Sequence, residues 1–198
     1  MGLELDYIEG QTPLDEEEKE GLLISTITTR GELDEFEQQN IEKAIEWTLS
    51  RKFKAEKIIT EDFVRELHHR MFDGVWKWAG EFRRTNKNIG CDWKQIGISL
   101  KQLSDDCIFW IDNKTYTEEE IAVRFKRRIV NIHCFPNGNG RHSRLMGDVI
   151  ANHIFEKKVF TWGGANLNKK GETRSNYLKA IREADKGNIK PLIEFAKT

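Results

Sequence analysis

Paired cysteines are missing from this chain. Cys91, Cys107 and Cys134 are odd in number, widely spaced and without a C-x-x-C pair. That argues against a disulfide framework and a zinc ribbon, and for a reducing, cytoplasmic compartment. No N-terminal stretch is long or apolar enough for a signal peptide or a membrane span. Neither sign of charge dominates: 32 basic against 33 acidic residues leave −1, so no global field draws the chain to nucleic acid or an anionic membrane. Repeats, low-complexity tracts and linkers are also missing, so residues 1–198 read as one domain, long enough to bury a substantial core. A charged fraction of 33% beside 38% hydrophobic suits a soluble surface over that core.

What is present is helical periodicity. After an arm of about a dozen residues, Asp15 to Ile24 is acidic at its start and suits a short helix. Thr28 or Thr29 can cap a longer one, whose apolar face would be Leu33, Phe36, Ile41, Ala44, Ile45 and Trp47. Thr60, followed by Glu61 and Asp62, starts a helix carrying Phe63, Leu67 and Met71. Gly74 to Ile96 breaks the period with Gly, Asn and Asp, and Phe82 to Ile89 is predicted as a hairpin. Leu100, Leu103, Cys107 and Trp110 mark the next helix. Ile121, Phe125 and Ile129 mark another, with Thr117 and Glu120 in the form of a capping box. Gly163-Gly164 opens a loop, Tyr177, Ala180 and Ile181 suggest a helix ending near Gly187, and a terminal helix runs from Pro191.

The chemistry concentrates in residues 133–144, His-Cys-Phe-Pro-Asn-Gly-Asn-Gly-Arg-His-Ser-Arg. Leu145, Val149, Met146 and Ile150 continue it as a helix, so the stretch is a helix–loop–helix in which Gly138 and Gly140 allow a turn and a close approach. A second helix starting at about Arg141 would present unpaired N–H groups and the positive end of its dipole. Arg141 and Arg144 lie one turn apart, so both guanidinium groups can reach one polyphosphate. His133 stands at the lip of that anion site, where a general base belongs.

This stretch resembles the Fic (filamentation induced by cAMP) signature, His-x-Phe-x-Asp/Glu-Gly-Asn-Gly-Arg-x-x-Arg, at every fixed position but one. Trp78-Ala79-Gly80-Glu81-Phe82-Arg83 with Asn88-Ile89-Gly90 looks like that family's flap. Thr12-Pro13-Leu14-Asp15, Glu37-Gln38-Gln39-Asn40-Ile41 and the run from Trp76 to Gly90 look like the bacterial "mobile mystery protein B" group. The resemblance implies a mainly α, Fic-type helical bundle with a short β-hairpin flap. Residues 1–50 would form an arm and a candidate inhibitory helix, and 51–198 the core. It implies transfer of AMP from ATP, with Mg²⁺ or Mn²⁺, to a hydroxyl of a target protein. His133 would be the base, and Gly138, Asn139, Gly140, Arg141 and Arg144 would bind phosphate. Phe135 would anchor the loop, and Lys87, Asn88, Ile89, Gly90 and Cys91 would dock a target segment as an added strand. A small helix-turn-helix partner, in a toxin–antitoxin-like pairing, is a further family expectation.

Asn137 departs from the pattern, standing where the family has the acidic Mg²⁺ ligand. Its amide brings no charge to offset a cation. An enzyme with nucleotide-held metal, transfer of a different phosphate-containing group, and a non-catalytic nucleotide-binding pseudoenzyme all stay open. So does a metal nuclease built on His133, Asn139 and His142, although its helical flanks speak against it. Glu37 is the candidate inhibitory residue and would pair with Arg144, but on so acidic a helix a solvated carboxylate is the simpler reading. His68 reads as a core histidine and His69 as an exposed one. His142 and His153 have no metal-spaced companions, and Cys134 beside His133 is a poor nucleophile–base pair. The tryptophans read as packing, with Trp93 the best placed to touch a ligand.

Overall fold

The computed structural model describes residues 5, 7, 11–164, 167 and 171–198; residues 1–4, 6 and 8–10 of the arm lie outside them. Among the described residues the elements are α1 (Glu16–Lys19), α2 (Arg30–Leu49), α3 (Ala55–Ile58), α4 (Glu61–Phe72), α5 (Ile96–Asp112), α6 (Glu118–Ile132), α7 (Asn139–Val149), α8 (Glu172–Asp185) and α9 (Lys190–Ala196). A 3₁₀ turn, Trp93–Gln95, leads into α5, and α7 runs on as a π turn over Ile150–Ile154.

The helices start where side-chain oxygens replace missing backbone acceptors. Thr29 accepts from the Glu32 N–H at 3.3 Å, and the Glu32 carboxylate reaches back to the Thr29 N–H at 3.0 Å. Thr60 accepts from Phe63 and Thr117 from Glu120. The capping box expected at Thr117 is only half made, because Glu120 turns to Arg124 one turn on, at 2.8 Å. An opposite charge four residues away competes with the N-cap for the same carboxylate.

α6 is the hub. Its buried face, Ile121, Phe125 and Ile129 included, packs on α5, α7 and α9, while α2 lies along α4. The apolar stripe expected of α2 is corrected. Phe36 and Ile45 are exposed, and Glu37, Asn40 and Thr48 are buried beside Leu33, Ile41 and Ala44. A helix that turns polar groups inward has partners for them, and those partners lie in the site described below.

The β-hairpin is absent. Among the described residues the sole β pairing is an isolated antiparallel bridge, Leu22 with Trp76, and Phe82–Ile89 is irregular. One buried side chain takes the place of the ladder. Arg83 donates from Nε to the His133 carbonyl at 2.6 Å, from Nη1 to Thr85 at 2.7 Å, and from Nη2 to Cys91 and Ile132. A guanidinium carries five donors in a rigid fork, so it meets carbonyls from both sides of the segment. Arg83→Met takes the donor from the carbonyl of buried His133 and from those of Thr85 and Cys91. The expected cost is about 3 kcal/mol, seen as a fall of roughly 6–12 °C in the thermal midpoint. No helix among the described residues is long and apolar enough to cross a membrane.

Candidate active site

His133 ends α6 in the left-handed conformation, φ 58° and ψ 63°, which swings its ring off the helix axis. Nδ1 lies 3.2 Å from the Val130 carbonyl. A carbonyl only accepts, so Nδ1 carries the proton and Nε2 keeps its lone pair. That lone pair meets the Thr12 hydroxyl, 2.7 Å away. Burial depresses His133 to about 4, helped by the charges of Arg83 and Lys87 and opposed by the Val130 bond. The imidazole is therefore neutral at physiological pH. Gly90 makes this possible. With φ +106°, a Cβ there would stand 2.6 Å from that of His133, closer than packed atoms come.

The loop between α6 and α7 is built from the inside. The Asn139 side chain accepts from the Phe135 N–H and donates to the Phe135 carbonyl, at 2.9 and 2.8 Å, closing the turn on itself. Phe135 is fully buried, and His68 stacks on it with ring centroids 3.7 Å apart. His68 accepts from the Gly80 N–H through Nδ1, so its Nε2–H donates to the Asn137 carbonyl at 3.1 Å. His69 is exposed, and His142 is buried against the Val64 carbonyl. Burial raises the Cys134 thiol far above its ordinary value, which removes it as a nucleophile.

Gly138 caps α7 at φ 77°, and a Cβ there would strike Phe72 at 2.5 Å. Gly140 proves different from the expectation. It lies inside the first turn of α7, and an added Cβ would meet only Arg144, at 3.8 Å. Its smallness therefore leaves space on the open side. Because α7 begins at Asn139, two residues earlier than expected, the N–H groups of 139–141 have no acceptor within the helix. The Gly138 N–H is already taken by Asn137 Oδ1 at 2.6 Å.

These elements border a cleft of about 560 Å³, with His133, Asn137–Arg141 and Arg144 on one side and Tyr177 and Ile181 of α8 on the other. Its volume suits a drug- or nucleotide-sized ligand. Arg30, Arg174 and Arg182 line it too, three basic residues that sequence reasoning missed because α2 and α8 lie far from the loop in the chain. Arg144 lies over the Tyr177 ring, 5.7 Å from its centroid. Behind it Lys126, fully buried, donates to the Tyr177 hydroxyl. Trp93, expected near a ligand, is not part of the cleft lining.

Glu37 is 2% exposed, so the solvated reading is overturned, and its partner is not the one expected. Glu37 Oε2 pairs with Arg141 Nη1 at 2.6 Å, and Oε1 accepts the Trp76 indole N–H at 2.7 Å. The helical reach of α2 delivers the carboxylate to the first motif arginine, leaving Arg144 against Tyr177.

The flap residues are also engaged. Lys87 pairs with Asp15 and Glu18, at 2.8 and 2.5 Å. Asn88 donates to the Gln11 carbonyl, and Cys91 bonds to Ile132. Ile89 is exposed at the cleft rim. In this structure the flap faces Gln11, Asp15 and Glu18 of the protein's own N-terminal segment.

The Asn137 amide is engaged at both ends. Its carbonyl oxygen accepts from Gly138, and its amide N–H donates to the Thr12 carbonyl at 3.1 Å. Among the described residues no three His, Cys, Asp or Glu side chains are grouped to hold an ion. The residues present do not build a protein cage for Mg²⁺ or Mn²⁺, and no step below runs through a metal.

Asp148, one turn beyond Arg144, is pushed up to about 7 by burial, against the Phe160 N–H, the Trp162 indole and the charge of Arg144. Between 3.8 and about 7 the native carboxyl holds a proton that the unfolded chain has lost, so its contribution to stability falls as pH rises through that window. Both N–H groups go to Oδ1, an oxygen that an amide retains. Asp148→Asn should raise the thermal midpoint more at about pH 8 than at about pH 5, the full effect being at most about 4 kcal/mol.

Residues 58–151 match the model of the Fic/DOC family. That match covers a little under half of the chain. Over 167 residues, 82% of the chain, it is 23% identical to the "Protein adenylyltransferase Fic" of Nematostella vectensis. It spans 27–37% of the length of the curated relatives it matches. The fold is similar to the N-terminal Fic domain of a Bartonella quintana effector, with a TM-score of 0.68 at 16% identity, covering 87% of this chain and 84% of that one. It is similar also to BepC of Bartonella tribocorum, solved with bound AMPPNP, with a TM-score of 0.67 at 17% identity, covering 92% and 97%. These likenesses give the mainly α Fic-domain fold.

Proposed function

We propose that the chain transfers AMP from ATP to a hydroxyl side chain of a protein, with His133 as general base. The observation that carries this reading is the neutral Nε2 of His133 holding a hydroxyl at 2.7 Å beside a cleft lined by Arg141 and Arg144. An aliphatic hydroxyl is a poor nucleophile at neutral pH, and a positioned base relieves it of its proton as it attacks. The acceptor oxygen attacks the α-phosphorus, a new P–O bond forms, and the bond to the β-phosphate breaks. Pyrophosphate leaves with the electron pair, and the proton goes to Nε2. The α7 N–H groups and the two guanidinium groups stabilise the charge that develops. Triphosphate in the cleft also raises His133 from its depressed value, since a nearby anion favours the imidazolium.

Arg141 reaches phosphate only when Glu37 releases it, so the conformation described here is a restrained one. The adenylyltransferase relative and the AMPPNP-bound structural relative support the donor. Within the family, the arm and flap residues favour the mobile mystery protein B group. A bacterial cytoplasm, a helix-turn-helix partner and a single domain over residues 1–198 belong to the same proposal.

The test uses ATP labelled at the α-phosphate, bacterial lysate, and Mg²⁺ or Mn²⁺. Protein-bound label is expected from α-labelled but not γ-labelled ATP. No protein label with either wild type or a folded Glu37→Gly variant overturns the reading in favour of a nucleotide-binding protein.

A further inference from the structure

The geometry points to Thr12 as an acceptor carried by the chain itself: the arm occupies the target position, and Thr12 is the hydroxyl that receives the nucleotidyl group. This rests on the transferase reading above. Thr12 is buried, its Oγ–H donates to the one nitrogen of His133 that has a lone pair, and it lines the same cleft as Arg141 and Arg144. An arm that merely filled space would need no hydroxyl there, because valine has nearly the same shape. A hydroxyl on the base is the arrangement an acceptor requires before attack.

The arm is held residue by residue where an incoming segment would dock. Asn88 takes the Gln11 carbonyl, Asn137 takes the Thr12 carbonyl, and Lys87 and Thr85 take the Asp15 carboxylate. Asn137 then gains a purpose. A carboxylate at 137 has no N–H to offer and would set negative charge against the Thr12 carbonyl. An amide accepts from Gly138 with one end and holds the arm with the other. The motif departure is thus an adaptation to a resident segment.

In the step itself, Thr12 Oγ bonds to the α-phosphorus, the α–β bridging bond breaks, pyrophosphate departs and the Thr12 proton passes to His133 Nε2. The product is a phosphodiester on Thr12, which keeps AMP beside the base and blocks a further round.

The experiment incubates the purified full chain, wild type and Glu37→Gly, with α-labelled ATP and maps the label by peptide mass spectrometry. Expected are one AMP per chain on the Thr12 peptide and a first-order rate unchanged by hundredfold dilution, as an intramolecular event requires. Thr12→Val should remove this label and increase transfer to lysate proteins. Thr12→Ser should keep the label, and Asn137→Asp should slow it about tenfold, the loss of one positioning hydrogen bond. Labelled lysate proteins with Thr12 unmodified in both forms would overturn the inference and leave the transferase reading standing. Self-label at another residue, or a rate proportional to protein concentration, would also overturn it. No label on any protein would sink the transferase reading and this one together.

Discussion

Replacing His133 should lower transfer by about 10²- to 10⁴-fold, the contribution of a positioned base, which is about 3–5 kcal/mol of barrier. ATP affinity should change little, because the phosphates are met by α7 and the arginines rather than by the imidazole. A loss in kcat with a steady nucleotide Kd marks an interaction made in the transition state. Position 133 has a left-handed backbone, which alanine tolerates poorly and asparagine well. Loss of activity in both His133→Ala and His133→Asn, with the fold intact by circular dichroism, separates chemistry from strain. If His133→Asn keeps more than about a tenth of wild-type kcat, His133 is not the base. The pH profile has a defined direction. Free His133 lies at about 4, so its base form persists well below neutrality, and bound triphosphate raises the apparent value seen in kcat.

Glu37→Gly should raise transfer by about ten- to a hundredfold, the range expected when a charge-assisted bond of about 1.5–3 kcal/mol is removed. Glu37 and Arg141 meet at 2.6 Å with side chains almost withdrawn from solvent. While that pair stands, the guanidinium faces a carboxylate instead of a phosphate. The change also costs stability. Glycine inside α2 loses about 1 kcal/mol, and the Trp76 indole N–H loses its acceptor. Glu37→Gln is the companion variant, since its amide oxygen still accepts from Trp76 but holds Arg141 without charge. Both variants should bind ATP more tightly, by calorimetry, and the gain should be larger for glycine. Equal ATP affinity and equal rate in wild type and both variants would mean that Arg141 plays no part in holding phosphate.

The sequence shows those parts of the site whose partners are close along the chain. The glycine turn, the two arginines one helical turn apart and the base at a helix end fall within twelve residues, and helical geometry is enough to assemble them. The caps at Thr29, Thr60 and Thr117 are legible for the same reason. Where the reading fails, the deciding partner is distant. Glu37 lies on a strongly acidic helix, and nothing near it in sequence says that Arg141 and Trp76 will close over it. Phe82–Ile89 lies where Gly, Asn and Asp break the helical period as a hairpin would, yet Arg83 ties it to the carbonyls of Cys91, Ile132 and His133 in place of a ladder. The Asn137 departure reads locally as a lost metal ligand. Only the folded arm, more than a hundred residues upstream, shows what its amide is for.

The arm laid across His133 sets a handicap for every other acceptor. Residues 11–15 are covalently attached, so they compete at an effective concentration of the millimolar order that short tethers give. A free protein reaches the base only during the fraction of time in which the arm has left, and its apparent Kd is the intrinsic Kd divided by that fraction. If the arm's bonds favour the closed form by about 2 kcal/mol, a target with micromolar intrinsic affinity would be measured at roughly thirty times that value. Screens that rank targets by apparent KM on the intact chain would therefore undervalue good ones, whereas the order of preference among them would be preserved.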